Sequence, residues 1–414
     1  MPFSDPSFDP ESVLVALVTH LPGRHKQDAR EASPARDLPG WGLPAPGTAA
    51  NVSHPNQGTN MFRRSSLAFP VLLLILPAAL EAQATAFAVG PVRAAAGTKA
   101  SGFLEIPARA DSATRIPITV IQGATPGPAL ALIAGTHGLE VAPILALHRV
   151  RRDLDPSALR GTVILVHIAN LPSYTKRTVY YNPWDWKNLN RVYPGRPDGT
   201  VTERIAHAIT TEVIARADYL VDMHSGDGNE NLLAYNYWNK LGLDPRVDSI
   251  GREMAQAWDN YGIVVDTERP KDPNASVYTQ NTAHLRGKPS ITTENGFLGL
   301  PDHEMIQRNY DGAFRLMRYL KMLDGAVELN DRPVWFVKTQ VMTSPASGVW
   351  HPAVEVGQAV PEGGLLGYVT DYFGDRIAEV RAPFAGVAMY VVETPPISQG
   401  EPVSMVGVPA SDWR

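Results

Sequence analysis

Four short predicted strands limit the folds that this chain can adopt, and the first of them, residues 129–134, is a continuous apolar run. A continuous apolar run is typical of strands covered on both faces, as in parallel sheets. Segments with helical spacing or a capping-box pattern follow three of these strands. The predicted strands are residues 129–134, 162–168, 219–223 and 288–293, and the predicted helices are residues 141–152, 200–217 and 304–323. The alternation predicts an α/β domain with a mostly parallel sheet flanked by helices.

Side chains that can bind a metal follow the ends of these predicted strands. His137 and Glu140 come after the first strand, His224 after the third and Glu294 after the fourth. In open α/β sheets, binding sites gather beyond the carboxyl ends of the strands. We therefore expect the four side chains to meet at one edge of the sheet.

Two imidazoles and one carboxylate are the ligand set of a catalytic zinc ion that keeps its fourth position open. His137, Glu140 and His224 provide that set, and the chain has no cysteine that could ligate zinc through sulfur. The sequence therefore predicts one Zn²⁺ per chain, whose role would be to generate hydroxide near neutral pH. Asp222 is a candidate for orienting His224, and a purely structural carboxylate at the strand end is an equally open alternative.

Glu294 is predicted to be the general base of this site. It would take the proton from the attacking water and later give it to the leaving nitrogen. The alternative is a structural carboxylate that caps the turn formed by Asn295 and Gly296.

Three polar residues between the second predicted strand and the capped helix are candidates for substrate contacts. Arg191 can hold a substrate carboxylate through two hydrogen bonds, with Asn190 adding another. Arg177, earlier in the same connection, can polarise the scissile carbonyl as negative charge develops on its oxygen. For Arg191, an ordinary surface cation is the alternative interpretation.

Positive residues, an apolar stretch and a small-residue site follow Met61 in the order typical of a secretory signal peptide. The apolar stretch, residues 67–80, is shorter than the roughly 20 residues that cross a bilayer. We predict that residues 61–84 are a signal peptide and that residues 1–60 are a disordered upstream extension. The product would be periplasmic or secreted, without stable membrane insertion after cleavage; an anchor through residues 66–80 is the alternative.

The composition changes near residue 328. Residues 334–408 are rich in Val, Gly and Pro and contain short alternating runs with turn signals. This pattern predicts a small C-terminal all-β domain. The expected domains are therefore residues 85–328 for the zinc hydrolase and residues 329–414 for the β domain.

The charge balance argues against a nucleic-acid partner. The chain has 42 acidic and 37 basic residues and a net charge of −5. Phosphate binding needs clustered Lys and Arg, and this sequence has no long basic run beyond short clusters. The expected partner is a small molecule that carries a carboxylate.

Four sequence motifs together resemble the succinylglutamate desuccinylase/aspartoacylase family of zinc hydrolases, which are relatives of the zinc carboxypeptidases. The resemblance extends over roughly residues 129–408, including a small β domain at the C-terminal end. The motifs are Gly135-Thr136-His137-Gly138-Leu139-Glu140, Asn190-Arg191-Val192-Tyr193-Pro194-Gly195, Asp222-Met223-His224 and Thr293-Glu294-Asn295-Gly296.

This resemblance implies roles for the same residues. His137, Glu140 and His224 would bind zinc, Glu294 would be the base, and Asn190 with Arg191 would hold a substrate carboxylate. The implied activity is hydrolysis of an N-acyl amide on an amino acid or a related small acid. One departure is Asn188, which stands where the family usually has an Asp.

Three functions fit these observations. The first is an exported zinc-dependent amidohydrolase that deacylates a small carboxylate-bearing substrate. The second is a carboxypeptidase-like enzyme that trims peptides in the cell envelope, because the same residues would serve both reactions. The third is a catalytically silent binding protein on the same scaffold, and the intact metal and base positions argue against it.

Overall fold

A long central sheet passes through the protein, and a smaller sheet lies near the C-terminal end. The computed structural model describes residues 86–410. Within this range the strands are β1 (Phe87–Val89), β2 (Val92–Ala94), β3 (Thr98–Ile106), β4 (Thr114–Gln122), β5 (Thr125–Ala134), β6 (Arg160–Val166), β7 (Tyr219–His224), β8 (Glu230–Leu232), β9 (Tyr235–Asn239), β10 (Gly262–Asp266), β11 (Ser290–Glu294), β12 (Val334–Thr343), β13 (Gly348–Pro352), β14 (Ala359–Val360), β15 (Leu365–Thr370), β16 (Arg376–Arg381), β17 (Gly386–Val392), β18 (Pro396–Ile397) and β19 (Pro402–Ala410).

The helices lie in the first three quarters of the described residues. They are α1 (Val141–Asp153), α2 (Leu171–Lys176), α3 (Val201–Ala208), α4 (Pro245–Trp258), α5 (Thr279–His284) and α6 (His303–Tyr319). A π turn and a 3₁₀ turn continue α3 as far as Arg216. This helix begins with the predicted capping box. Thr200 is the N-cap residue, and its backbone N–H donates a hydrogen bond of 2.8 Å to Oε2 of Glu203 in the first turn.

The central part of the large sheet is mostly parallel. Its strand order is β14-β17-β19-β12-β10-β9-β11-β7-β5-β6-β4-β3, with β8 pairing to β17. Strands β12, β10 and β9 run parallel, as do β11, β7, β5 and β6, while β9 and β11 meet antiparallel. Antiparallel strands extend the sheet at both ends. The prediction of an α/β fold with a mostly parallel sheet and C-terminal β structure is confirmed.

The apolar runs form strands that are buried on both faces. In β5, Leu130 and Leu132 pack with α1, α4 and α6 in one core cluster, whereas Ala131 and Ile133 pack with α3 in another. All four of these side chains have zero exposure to solvent. The two helical layers therefore explain why the run has no polar alternate positions.

The C-terminal strands are continuous with the large sheet. Strand β12 pairs in parallel with β10 on one side and antiparallel with β19 on the other. A separate antiparallel sheet of order β16-β15-β13-β18 packs near them. Strand β8 belongs to the segment that follows His224, yet it pairs with β17. This pairing places residues of the C-terminal strands beside the segment that follows a predicted metal ligand.

Several elements between residues 226 and 287 had no counterpart in the sequence prediction. Strand β9 has the sequence Tyr-Asn-Tyr-Trp-Asn and lies between β10 and β11. Its two asparagines interrupt the apolar pattern that would indicate a buried strand. Helix α4 begins at a recognisable signal, with Asp244 as the N-cap and Pro245 as the first helical residue.

The predicted signal peptide and upstream extension lie outside the described residues. Among the helices from residue 86 to residue 410, none is both long enough and apolar enough to cross a membrane.

Gly312 allows α6 to pack closely against α4, and this contact gives a stability prediction. A Cβ atom at this position would lie 2.5 Å from Cε2 of the buried Trp258 ring. Gly312→Ala should therefore lower the free energy of unfolding by about 1–3 kcal/mol through overpacking, although alanine favours helix by about 1 kcal/mol. Denaturant unfolding measures the change. The control Asp311→Ala, on the exposed face of the same helix, should change stability by less than about 0.5 kcal/mol. A Gly312→Ala protein as stable as wild type would contradict this packing.

Candidate active site

The first two predicted ligands lie in the tight connection between β5 and α1. Gly135 has a φ of 68°, and a Cβ atom there would lie 2.8 Å from the Cα of Ile168. The chain can turn this closely because glycine tolerates both constraints. The turn brings His137 over the end of the sheet, and Glu140 occupies the N-cap position of α1.

His137, Glu140 and His224 converge, as the sequence predicted. Oε1 of Glu140 lies 2.7 Å from Nδ1 of His137 and 3.1 Å from Nδ1 of His224. Each of the three residues offers one ligand atom, and these three atoms all lie within 4.8 Å of one another. The carboxylate therefore lies between two imidazole nitrogens that both face inward.

Charge coupling among the three residues is strong. Burial opposes ionisation of Glu140, but the imidazoles of His224 and His137 lower the pKa of its carboxyl to about 2. Burial acts to lower the pKa of His224, but the Asp222 and Glu140 carboxylates raise it well above its ordinary value. The pKa of His137 is raised by Glu140 in the same way, against the effect of burial. The arrangement therefore stabilises positive charge at the centre of the group.

Neighbouring polar groups hold the outer nitrogen of each imidazole. Nε2 of His224 lies 3.0 Å from Oδ2 of Asp222, two residues earlier on the same face of β7. Nε2 of His137 lies 3.1 Å from Oδ1 of Asn188. A proton on each outer nitrogen would leave both Nδ1 atoms free to bind a metal, which is the usual function of such partners.

The donor set fits zinc. Zinc sites with a catalytic role use three protein ligands drawn from imidazole nitrogen and carboxylate oxygen, with a fourth position left open. His137, Glu140 and His224 offer two Nδ1 atoms and a carboxylate from two separate strand ends. They border a cavity of about 810 Å³, so a small molecule can reach the group.

Glu294 lines the same cavity at the end of β11. Strands β11 and β7 pair in parallel with Glu294 in register with His224. Burial raises the pKa of Glu294 well above its ordinary value, and the carboxylates of Glu140 and Glu230 add to the effect although His224 opposes it. A carboxylate with a raised pKa beside a metal group is suited to accept a proton near neutral pH.

Asn190 and Arg191 also line the cavity, in a short 3₁₀ turn between α2 and α3. Oδ1 of Asn190 accepts hydrogen bonds from the backbone N–H and the hydroxyl of Thr279, at 2.9 and 3.1 Å. Its Nδ2 lies 3.2 Å from Nε2 of His224. The Arg191 guanidinium stacks over the Tyr278 ring at 4.9 Å. Their predicted contacts with a substrate carboxylate stay predictions.

Arg177 is not brought to the cavity with the others. It is the C-cap residue of α2, with a φ of 56°, and its side chain is exposed. It is not among the residues that line the cavity. Its predicted role at the scissile carbonyl therefore stays a prediction.

Several cavity residues were not found from the sequence. They come from segments without a recognisable motif, and long-range strand pairing places them. Asn188, the departure from the family's usual Asp, lies against His137. The other unpredicted residues of the cavity wall include Tyr180, Glu230, Tyr235, Tyr237, Arg269, Tyr278, Tyr390 and Met405.

Comparisons with known proteins match the part of the chain that contains most of this cavity. The family model of the succinylglutamate desuccinylase/aspartoacylase catalytic domain matches residues 126–320. The chain is 28% identical over 299 residues to an N-alpha-acetyl-L-2,4-diaminobutyric acid deacetylase from Halomonas elongata, covering 69% of this chain and 84% of that protein.

Two solved structures are similar along most of their length. The product-bound ectoine utilization protein EutE (DoeB) from Ruegeria pomeroyi has a TM-score of 0.67 and 28% identity, covering 75% of this chain and 95% of the other. A succinylglutamate desuccinylase from Silicibacter sp. TM1040 also has a TM-score of 0.67, with 24% identity, and covers 78% of this chain and 100% of the other; this likeness supports the fold.

The matched segment contains His137, Glu140, His224 and Glu294, the residues that the fold gathers at the carboxyl end of the sheet. Residues 126–320 of this chain are thus similar to the catalytic domain of the succinylglutamate desuccinylase/aspartoacylase family.

Proposed function

We propose that this protein is a zinc-dependent amidohydrolase that removes the acyl group from a small N-acyl amino acid or a related carboxylate-bearing amide. The observation that carries the proposal is the position of Glu294, in register with His224 and on the wall of the cavity that the three candidate ligands border. The name of the Halomonas relative, a deacetylase of an N-acetylated amino acid, supports the same reaction class.

The proposed roles follow from position. A zinc ion held by His137, Glu140 and His224 would polarise the acyl carbonyl and acidify a water molecule. Glu294 accepts a proton from the attacking water at its carboxylate and returns it to the leaving nitrogen. Asp222 and Asn188 orient the imidazoles.

Arg191 supplies the recognition of the substrate carboxylate in this proposal. Its Nη1 donates to the backbone oxygen of Asn190 at 2.7 Å, and its guanidinium stacks on Tyr278. These contacts fix the plane of the guanidinium while leaving other N–H groups for a carboxylate. Arg177 would stabilise negative charge on the scissile carbonyl oxygen after its segment moves toward the cavity.

Export and domain division are also part of the proposal. Residues 61–84 direct export to the periplasm or the exterior and are then removed, and residues 1–60 precede that signal. Residues 85–328 form the hydrolase domain and residues 329–414 the β domain.

A hydrolysis screen tests the proposed reaction. Residues 85–414 with added zinc are offered N-acyl amino acids and short peptides in parallel. Release of the free amino acid from the N-acyl series supports the deacylase, whereas cleavage of peptides alone would indicate the carboxypeptidase-like alternative. Turnover of neither series, with zinc bound, would indicate a binding protein.

Glu294→Gln tests the base. The substitution keeps the size of the side chain but removes its capacity to accept a proton. We expect kcat to fall at least about 100-fold, the usual scale for loss of a general base, while the zinc content stays at the wild-type level. Turnover is measured with the best N-acyl substrate, and zinc by elemental analysis. An unchanged kcat would assign the base to another residue.

His224→Ala tests the ligand set. The variant loses one of three protein ligands and should lose zinc during dialysis under conditions in which the wild-type protein retains it. Replacement of His148, which lies on α1 away from the cavity, by alanine is the control and should retain zinc. Full zinc occupancy in His224→Ala would remove this residue from the ligand set.

Arg191→Lys tests the carboxylate contact. Lysine keeps the charge but lacks the planar pair of N–H groups. We expect KM for N-acyl amino acids to rise about 10-fold or more, and KM for the corresponding amides, which lack the carboxylate, to change little. If the two Michaelis constants rose together, Arg191 would not be the carboxylate ligand.

A further inference from the structure

Glu230 is a carboxylate on the cavity wall that the proposed reaction does not use. It is the first residue of β8 and lines the cavity together with the candidate metal ligands. The Tyr180 hydroxyl donates a hydrogen bond of 2.6 Å to its Oε1. The Tyr180 ring in turn packs edge-on against the His137 imidazole, with centroids 5.9 Å apart. One aromatic residue therefore separates Glu230 from the candidate metal group.

Glu230 accepts hydrogen bonds but forms no ion pair among the described residues. None of the ion pairs formed between residues 86 and 410 includes it. Burial raises the pKa of its carboxyl to about 7. An unpaired carboxylate in a poorly solvated position is unfavourable for folding. Such a group in a binding cavity is therefore a candidate for a functional contact.

The other charges around the cavity narrow the kind of ligand that this carboxylate would meet. Lys187 pairs with Glu203 at 3.2 Å, and Arg269 pairs with Asp266 at 2.6 Å. Arg191 is the cavity-lining arginine that forms no ion pair within the described part of the chain. Apart from the candidate metal group and Glu294, the cavity therefore presents one guanidinium and one carboxylate that form no ion pair within residues 86–410.

These two charges come from different elements of the fold. Arg191 stacks on Tyr278, in the segment that leads into α5. Glu230 lies on β8, which pairs with β17 of the C-terminal strands. A ligand that satisfies both carries a carboxylate and a separate positive charge, and its reacting amide reaches the candidate metal group on the same cavity wall.

We propose that Glu230 binds a side-chain ammonium of the substrate, so that the preferred substrates are N-acyl derivatives of amino acids with a basic side chain. This inference rests on the deacylase function proposed above. The α-carboxylate contacts Arg191, the amide lies at the metal group, and the ammonium donates to the Glu230 carboxylate. Tyr180 positions that carboxylate by its hydrogen bond.

A structural role for Glu230 is the competing explanation. The Tyr180 hydroxyl and the backbone N–H of Asp227 both donate to its carboxylate, the latter at 3.4 Å. Tyr180 lies in the left-handed region with a φ of 61°, so Glu230 could serve only to hold this residue in place. Such a role would affect all substrates alike, whereas an ammonium contact affects only the basic ones.

Glu230→Gln separates the two explanations, because the amide keeps the size and the acceptor oxygen but loses the charge. The substrates are matched pairs in which a methyl group replaces the ammonium. These pairs are Nα-acetylornithine with Nα-acetylnorleucine, and Nα-acetyl-2,4-diaminobutyrate with Nα-acetylnorvaline. We expect the wild type to prefer the basic member of at least one pair. The measured quantity is the kcat/KM ratio, which is kcat/KM for the basic member divided by kcat/KM for the neutral member. Glu230→Gln should lower this ratio about 10- to 100-fold, the range for a hydrogen bond to a charged group.

Glu393→Gln is the matched control. Glu393 is an exposed carboxylate that accepts a hydrogen bond from Asn231, next to Glu230, and it does not line the cavity. Its substitution should leave the kcat/KM ratio at the wild-type value. A wild-type enzyme that prefers the neutral members, or an equal loss for both members in Glu230→Gln, would overturn the inference.

A binding measurement keeps this test independent of the deacylase proposal. Calorimetry compares the zinc-loaded wild type and Glu230→Gln in binding ornithine and norleucine, the products of the first pair. Tighter binding of ornithine by the wild type, lost in the variant, supports the ammonium site even if no N-acyl substrate is hydrolysed. Equal affinity for the two amino acids would overturn the site even in an active deacylase.

Discussion

The Glu140 carboxylate, held between two inward-facing imidazoles, is the interaction on which the site depends. It can lie there because the turn after β5 is tight at Gly135 and because β7 delivers His224 beside it. Burial disfavours ionisation of this carboxyl, and two imidazoles offset the effect. Three groups that would be costly to bury singly are thus compatible when buried together.

Much of the architecture was predictable because it depends on local pattern. The segments that became β5, β6, β7 and β11 were each recognised as strands, and their carboxyl ends coincide in a parallel arrangement. This is why His137, Glu140, His224 and Glu294 could be expected at one edge. The strand Tyr235–Asn239 could not be recognised, because its asparagines are satisfied by partners distant in sequence, such as the backbone of Ala255.

The cavity wall was less predictable than its centre, for a physical reason. Tyr180 and Glu230 are 50 positions apart and meet only through the folded chain. Asn188 contacts His137 by the same kind of long-range approach. No motif encodes such contacts, since they depend on the register of β8 against β17 and on the course of the connection between α2 and α3. Arg177 is the opposite case. Its predicted role followed from the order of the motifs along the chain, but its side chain lies at the surface.

The pairing of β8 with β17 gives the active-site cavity two origins along the chain. The candidate metal group and base come from the parallel strands, whereas Tyr390 and Met405 reach the same cavity from the C-terminal strands. Evolution can therefore vary the pocket lining by changing the C-terminal segment while the hydrolytic centre stays intact.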